Sequence, residues 1–366
     1  MARKLRVVVL FGGKSAEHEV SLQSAKNVAE ALDKSKYDVH LVGIDKQGRW
    51  HLDNPAALLS GVNPALKKLN AASGDSLALV PGREKGPIVP ADGGEALGAI
   101  DVVFPVLHGP HGEDGTVQGL LKLADLPFVG PGVLGSAVSM DKDVAKRLMR
   151  DAGIPVANFM TFDRVKRSDI NFDQVRDTLG LPVFIKPANL GSSVGIHKAS
   201  DRAEFEHGVA DALRFDSKIL IEEAITGREV ECAVLGNETP IASVPGEVKP
   251  KGEFYTYEAK YVDENGAVLE IPAKVSPETA GQIQDLALKT FRALGCEGMA
   301  RIDFFLRPDG GLLVSEVNTI PGFTNISMYP KLWEASGVPY KELLDRLIQL
   351  AIERFQRDRA LRTSYD

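Results

Sequence analysis

Residues 5–11, 39–44 and 100–107 are apolar runs rich in β-branched side chains, and a helical pattern over residues 21–32 separates the first two. Strands apolar along their whole length, alternating with helices, belong to a parallel sheet covered on its faces. The first run ends in Gly12-Gly13. The third ends in His108-Gly109-Pro110-His111-Gly112-Glu113-Asp114-Gly115. Between them, residues 54–97 are rich in Gly, Pro and Ala and carry little periodicity, which predicts peripheral elements and loops. The first unit closes near Phe128, giving an N-terminal α/β division over residues 1–128.

A second division, residues 129–226, contains a helix expected over residues 142–152 with Asp141 as its N-cap and Gly153 at its end. Strands are expected at residues 156–162, 182–186 and 218–222, and a helix at residues 200–213. The third division, residues 227–366, ends in an amphipathic helix over residues 340–357. No internal repeat or low-complexity tract interrupts this order. With 366 residues, two or three domains with sizeable cores are possible.

The third division holds the segment richest in chemistry. Arg301-Ile302-Asp303-Phe304-Phe305 and Ser315-Glu316-Val317-Asn318 flank Pro308-Asp309-Gly310-Gly311, a strong turn signal, so they read as an antiparallel hairpin. Side chains alternate along strands, so Arg301 and Asp303 share a face, as do Glu316 and Asn318. Aligning those faces gathers two carboxylates, a carboxamide and a guanidinium. Hard oxygen donors of this kind suit Mg²⁺, which keeps water and phosphate oxygens for its other positions. Taken alone, the same face also reads as an exposed, salt-bridged hairpin.

Other segments point to phosphate. Gly191-Ser192-Ser193-Val194-Gly195 exposes backbone N–H groups that can cradle it. The loop is not a Walker A motif, and Gly12-Gly13 is not a dinucleotide fingerprint. Lys186 ends a buried strand just before the loop and needs an anionic partner or a path to water. Glu222-Glu223-Ala224-Ile225, with Glu229 beyond, forms an acidic linker between strands. Residues 249–266 form a long polar segment with the cluster Phe254-Tyr255-Thr256-Tyr257, which suits an active-site lid.

Bulk properties exclude several classes. The net charge of −7 gives no basic surface for nucleic acid. Two cysteines, Cys232 and Cys296, supply neither a disulfide framework nor a zinc spacing. No run reaches membrane-span length, and the apolar run after the basic N-terminus is too short for a signal peptide. A cytoplasmic location without membrane partners is expected.

Lys142, Lys186, the glycine loop, the Glu-rich hinge and the Asp303/Glu316/Asn318 set together resemble the ATP-grasp superfamily. From residue 6 to 357 the chain resembles the D-alanine–D-alanine ligases. The specific matches are Gly12-Gly13-Lys14-Ser15-Ala16-Glu17-His18-Glu19-Val20-Ser21, the His108–Gly115 segment, the glycine loop, Glu258-Ala259-Lys260-Tyr261, and Glu316-Val317-Asn318-Thr319-Ile320-Pro321-Gly322-Phe323-Thr324. The implied fold is a mixed α/β, three-domain ATP-grasp architecture: an N-terminal Rossmann-like parallel sheet and two lobes that clasp ATP.

The resemblance also implies roles. Lys142, Lys186 and Ser193 would contact nucleotide phosphates, and Lys260 would reach the γ-phosphate from the lid. Glu222, Glu223, Ala224 and Ile225 would line the adenine pocket, with Glu229 on the ribose. Asp303, Glu316 and Asn318 would hold two Mg²⁺ (or Mn²⁺) ions. Glu17 would anchor the first D-alanine ammonium, with His108 nearby. Arg301 and the Gly322 N–H would form the oxyanion site, and Ser327 would bind the second D-alanine carboxylate. Ser192 and Tyr261 would join Glu17 in a triad that closes the lid.

In this family Tyr at position 261 accompanies dipeptide formation, and related depsipeptide ligases replace that segment. Glu223 and Ala224 depart from relatives with Lys and a bulky aromatic there. The expected reaction is ligation of two D-alanines through an acyl phosphate, for peptidoglycan precursors. A homodimer is the family expectation. Two alternatives stand: an ATP-grasp ligase forming a different amide or ester, and a nucleotide-binding partner protein without catalysis.

Overall fold

The computed structural model describes residues 3–53, 76–83, 86–91, 97–250, 267–362 and 364–365. Three sheets follow one another along the chain.

The first sheet uses β1 (Leu5–Gly12), β2 (Tyr37–Ile44), β3 (Trp50–Asp53), β4 (Ser76–Leu79), β5 (Ile88–Pro90) and β6 (Val102–Pro105), in the order β5-β4-β3-β2-β1-β6. Helix α1 (His18–Ala31) connects β1 to β2. β1 runs parallel to β2 and β6, as their apolar runs predict. The sheet is mixed rather than parallel throughout: β2/β3, β3/β4 and β4/β5 are antiparallel. The reason lies in the β2–β3 turn. Asp45 accepts from the backbone N–H groups of Gln47 and Arg49 at 2.9 Å each, so the chain reverses at once. A parallel return needs a much longer crossover. β4 and β5 are short strands within the stretch expected to be peripheral, and β5 forms that edge of the sheet.

Helices α2 (Thr116–Leu123), α3 (Val133–Met140) and α4 (Lys142–Asp151) lead to the second sheet. Asp141 caps α4 as expected, accepting from Asp143 and Val144 N–H at 3.1 Å. The second sheet contains β7 (Phe159–Asp163), β8 (Val183–Pro187), β9 (His197–Ala199) and β10 (Lys218–Glu223), ordered β7-β10-β8-β9. Helices α5 (Phe172–Leu179) and α6 (Arg202–Phe215) cover one face through Phe172, Val175, Phe205, Val209 and Leu213.

The third sheet has the path β14-β13-β11-β15-β16, with β12 paired to β11. Its strands are β11 (Arg228–Gly236), β12 (Ile241–Ala242), β13 (Gly246–Pro250), β14 (Ala267–Glu270), β15 (Gly298–Leu306) and β16 (Leu312–Asn318). Helices α7 (Pro277–Ala293), α8 (Met328–Ala335) and α9 (Tyr340–Arg359) flank it.

Packing does not follow chain order. Ala145, Met149 and Ile154 join the core of the third sheet with Cys232, Phe291 and Ile302. Leu343, Leu347 and Ile348 of α9 join a core shared with Val7, Val9 and Phe11 of β1. The C-terminal helix thus unites the first and third sheets, and buried Arg354 donates to the Phe128 and Gly130 carbonyls.

Candidate active site

The hairpin forms as its sequence predicts, in a register that sets Arg301 opposite Asn318 and Asp303 opposite Glu316. β11 extends the same row, since Glu231 opposes Asp303. Arg301 donates to both Asp303 oxygens at 2.7 Å through Nε and Nη2, and its Nε also lies 2.8 Å from Glu231 Oε2. Asn318 Nδ2 donates to Asp303 Oδ2 at 2.9 Å. The β-bulge between Asp303 and Phe304 shifts the pairing just beyond this row, where such irregularities re-aim side chains.

Asp303, Glu316 and Asn318 offer only hard oxygen donors to a cation, the chemistry Mg²⁺ and Mn²⁺ accept. Among the described residues, no three His, Cys, Asp or Glu side chains converge to hold a metal ion. With two carboxylates and one carboxamide oxygen, the donor set fits a divalent cation that takes its remaining ligands from phosphate oxygens and water.

A second charged group sits between α4, β8 and β10. Glu222 Oε2 accepts from Lys186 Nζ at 2.6 Å, and Glu222 Oε1 lies 2.9 Å from Lys146 Nζ. Burial alone would raise the Glu222 carboxyl, but the two lysines outweigh it and hold the pKa at about 2. Burial opposes the Lys186 ammonium, yet Glu222 and the more distant Glu316 and Glu229 raise it overall. Lys142 donates to the Leu190 carbonyl and is shifted down, chiefly by burial. It feels the charges of Glu316, Lys186, Glu222 and Lys146, which brings both halves of the cluster within electrostatic reach of the hairpin.

The hinge residues are pinned. Glu223 Oε1 accepts from Asn158 N–H at 2.7 Å, and Ala224 N–H donates to the Pro182 carbonyl at 3.2 Å. With the Glu222 carboxylate engaged by lysines and that of Glu223 by Asn158, the side chains of this segment are occupied. Ile225 is half-buried beside them.

A third group surrounds Glu17, which is 5 % exposed at the start of α1. The Ser192 hydroxyl donates to Glu17 Oε1. Two glycines approach this carboxylate closely: a Cβ on Gly109, whose φ is +72°, would lie 2.6 Å from Glu17 Oε2, and one on Gly191 would lie 3.2 Å away. Ser192 and Ser193 both adopt positive φ, +52° and +61°, conformations rare outside glycine that collect at functional loops. Glu113 Oε2 accepts from Gly109 N–H at 2.8 Å, and burial followed by the Glu17 charge pushes its pKa up to about 8.

His108 Nδ1 faces the Ile320 carbonyl at 3.0 Å, and its Nε2 lies 3.2 Å from Ser24 Oγ. A carbonyl only accepts, so Nδ1 carries the proton and Nε2 accepts from the hydroxyl. Burial depresses this imidazole to about 4. Ser327 is the N-cap position of α8, where its Oγ lies 3.0 Å from Thr324 N, and a Cβ on Gly322 would come within 2.7 Å of it. Gly322 and Ser327 are therefore neighbours. Glu229 shares its strand face with Glu231. Lys260 and Tyr261, expected on the lid, lie outside the described residues.

Sequence reasoning missed Lys146, Glu231 and a role for Glu113. Lys146 stands four residues beyond Lys142 on α4, and Glu231 two residues beyond Glu229 on β11, so helical and strand periodicity carried both signals. Among the described residues, no helix is long and apolar enough to cross a membrane.

Comparison with known proteins adds an independent line. A family model described as D-ala D-ala ligase N-terminus matches residues 6–131, and one described as D-ala D-ala ligase C-terminus matches residues 148–349. The chain is 57% identical to a D-alanine–D-alanine ligase of Oceanobacillus iheyensis, over 99% of each chain. Its fold is similar to the solved D-alanine-D-alanine ligase from Coxiella burnetii, with TM-score 0.84, 41% identity and 98% of each chain covered. It is also similar to the VanG D-Ala:D-Ser ligase from Enterococcus faecalis, with TM-score 0.84, 36% identity, and 95% of this chain and 100% of that one covered.

Proposed function

The chain belongs to the D-alanine–D-alanine ligase family, and on that premise we propose how its residues divide the work of joining two D-alanines with ATP. The protein is an ATP-dependent ligase that forms D-alanyl-D-alanine for cell-wall synthesis. Three units carry the work, with divisions at residues 1–128, 129–226 and 227–366.

A carboxylate is a poor acyl electrophile, so the first D-alanine must be activated. Glu17 anchors its ammonium, a role supported by the burial of that carboxylate among Ser192, Gly109 and Gly191. The D-alanine carboxylate attacks the ATP γ-phosphoryl group, yielding an acyl phosphate and ADP. Phosphoryl transfer depends mainly on positioning and on neutralising spread negative charge. Lys142, Lys186, Ser193 and Lys260 supply positive charge and donors, while Glu222 sets the position of Lys186. The 222–225 hinge holds adenine through its remaining backbone groups, because the Glu222 and Glu223 carboxylates and the Glu223 and Ala224 N–H groups are engaged elsewhere; Glu229 takes the ribose.

Asp303, Glu316 and Asn318 would hold two Mg²⁺ or Mn²⁺ ions. Bound there, such ions would supply positive charge to neutralise phosphate oxygens during the transfer.

In the second half, the amine of the second D-alanine attacks the acyl carbon, loses a proton, and phosphate departs. The oxyanion formed on the way meets Arg301 and the Gly322 N–H. Preorganised donors of this kind are worth most in a water-poor site. Ser327, at the start of α8, receives the second carboxylate where helix N–H groups favour an anion. Tyr261 closes the triad with Ser192 and Glu17. We place the protein in the cytoplasm, where ATP is available, and as a homodimer.

The observation that carries this reading is the Ser192–Glu17 contact, which brings the phosphate loop to the amino-acid site. Competition between D-alanine, D-serine and D-lactate as second substrate at pH 7, read by product mass, tests it. D-alanyl-D-alanine is expected to dominate; a predominant D-serine or depsipeptide product would overturn the substrate assignment.

A further inference from the structure

The backbone on both sides of Gly322 is fastened mainly to the N-terminal unit rather than to the strand that delivers it. Upstream, Ile320 N–H donates to Glu113 Oε1 at 3.1 Å and its carbonyl accepts from His108 Nδ1 at 3.0 Å. The Thr319 hydroxyl donates to the Glu113 carbonyl at 3.4 Å. Downstream, Phe323 N–H donates to Ser24 Oγ at 3.3 Å. The Phe323 carbonyl accepts from Asn27 Nδ2 at 3.2 Å and from the Tyr340 hydroxyl at 3.0 Å.

The two halves are joined, since His108 Nε2 and Ser24 Oγ are 3.2 Å apart, and Glu113 is tied back through Gly109 N–H at 2.8 Å. Ser24, Asn27 and His108 are 0%, 7% and 4% exposed, so these bonds are shielded from water. A buried polar network that is fully satisfied rigidifies what it holds. Pro321 has no N–H, and glycine adds freedom at 322, so the flanking peptides are the natural places to fix this turn. Both ring nitrogens of His108 are spent on the network, which makes it a support for the turn.

We propose that Ser24, Asn27, His108 and Glu113, completed by Tyr340, form a clamp that aims the Gly322 N–H and so serves the second, amide-forming step. The proposal rests on the reading of Gly322 as an oxyanion donor. An N–H aimed from two anchored neighbours cannot drift away from the developing charge, and small displacements of such donors cost large factors in rate.

The clamp is tested by partition of the acyl phosphate. This intermediate either goes forward to dipeptide or returns its phosphoryl group to ADP. Return re-forms ATP whose β–γ bridge oxygen has exchanged with the rotating β-phosphate oxygens. ATP labelled with ¹⁸O at the bridge therefore reports return, and dipeptide reports forward flux.

Asn27→Leu, Tyr340→Phe and Glu113→Ala are expected to raise the ratio of exchange to dipeptide by roughly tenfold each, since forward flux alone is slowed. Glu113→Gln retains one acceptor oxygen and should fall between wild type and Glu113→Ala. A merely structural clamp would lower both fluxes together and leave the ratio fixed, even in a partly folded sample. Gly322→Pro, which deletes the N–H, should raise the ratio most. If Gly322→Pro raises it while Asn27→Leu and Tyr340→Phe do not, the clamp is refuted. If Gly322→Pro leaves it unchanged, the Gly322 reading falls and the clamp with it.

Discussion

The Ser192 hydroxyl donates to the Glu17 carboxylate across 175 residues of sequence, joining the 191–195 glycine loop to the start of α1. A hydrogen bond to a charged group contributes about 1.5–3 kcal/mol. Ser192→Ala removes it at the point where the first D-alanine is expected. Steady-state kinetics should show KM for D-alanine rising roughly tenfold or more, with KM for ATP moving little. An unchanged D-alanine KM would show that the contact does not hold the amino-acid site together.

Glu316→Gln should leave the fold intact and remove most activity. Glu316 is half-buried on a strand face and packs no core, so its loss subtracts charge rather than volume. Loss of partners outside a metal's direct ligands commonly costs about 10–100-fold, and loss of a ligand should exceed that. Circular dichroism should match wild type while turnover at saturating Mg²⁺ falls more than roughly 100-fold. Full turnover there would remove Glu316 from the metal set.

The Lys146–Glu222–Lys186 cluster predicts a pH-dependent stability difference. The Glu222 carboxyl is depressed from its ordinary 4.5 to about 2. A depressed acid contributes stability that is complete above its unfolded pKa and is lost as pH falls through the folded value. Glu222→Gln should cost roughly 3 kcal/mol near neutrality, because it strands two partly or fully buried lysines. Chemical denaturation of both proteins should show that gap closing between about pH 4.5 and 2. A gap independent of pH over that window would show the effect is packing alone.

His108 should remain neutral well into acid. Its pKa lies near 4 rather than 6.5 because burial disfavours the imidazolium. Between those values the unfolded chain takes up a proton that the folded one refuses, so the contribution to stability is full above about 6.5 and declines toward 4. Imidazole ¹⁵N shifts should report a neutral ring protonated at Nδ1 at pH 5.5. A charged ring at that pH would contradict the assignment of Nε2 as acceptor from the Ser24 hydroxyl, because the imidazolium has no lone pair there.

Local signals made much of this fold legible. The 301–318 hairpin followed from turn chemistry, and two-residue alternation placed Arg301 with Asp303 and Glu316 with Asn318; which residues oppose each other came from the strand pairing. The α4 cap followed from Asp141. The short strands β3 to β5 were hidden because three or four residues are too few for periodicity to show. Helix α7 also passed unread, though Ser276 caps it before Pro277. At the site, Lys186 needed an anion by its burial alone, but the pairing with Glu222 is a contact between neighbouring strands that only register reveals. The Glu113 network was unreadable for a similar reason: its partner Ile320 lies 207 residues away and offers only backbone atoms, which leave no mark in sequence.

The central claim is that the first D-alanine is activated by transfer of the ATP γ-phosphoryl group to its carboxylate. Turnover with D-alanine labelled with ¹⁸O in both carboxylate oxygens tests it most directly. One labelled oxygen should appear in each inorganic phosphate released, because the oxygen that attacked phosphorus leaves with it when the second amine takes its place. Phosphate released without label, alongside normal dipeptide formation, would contradict the account.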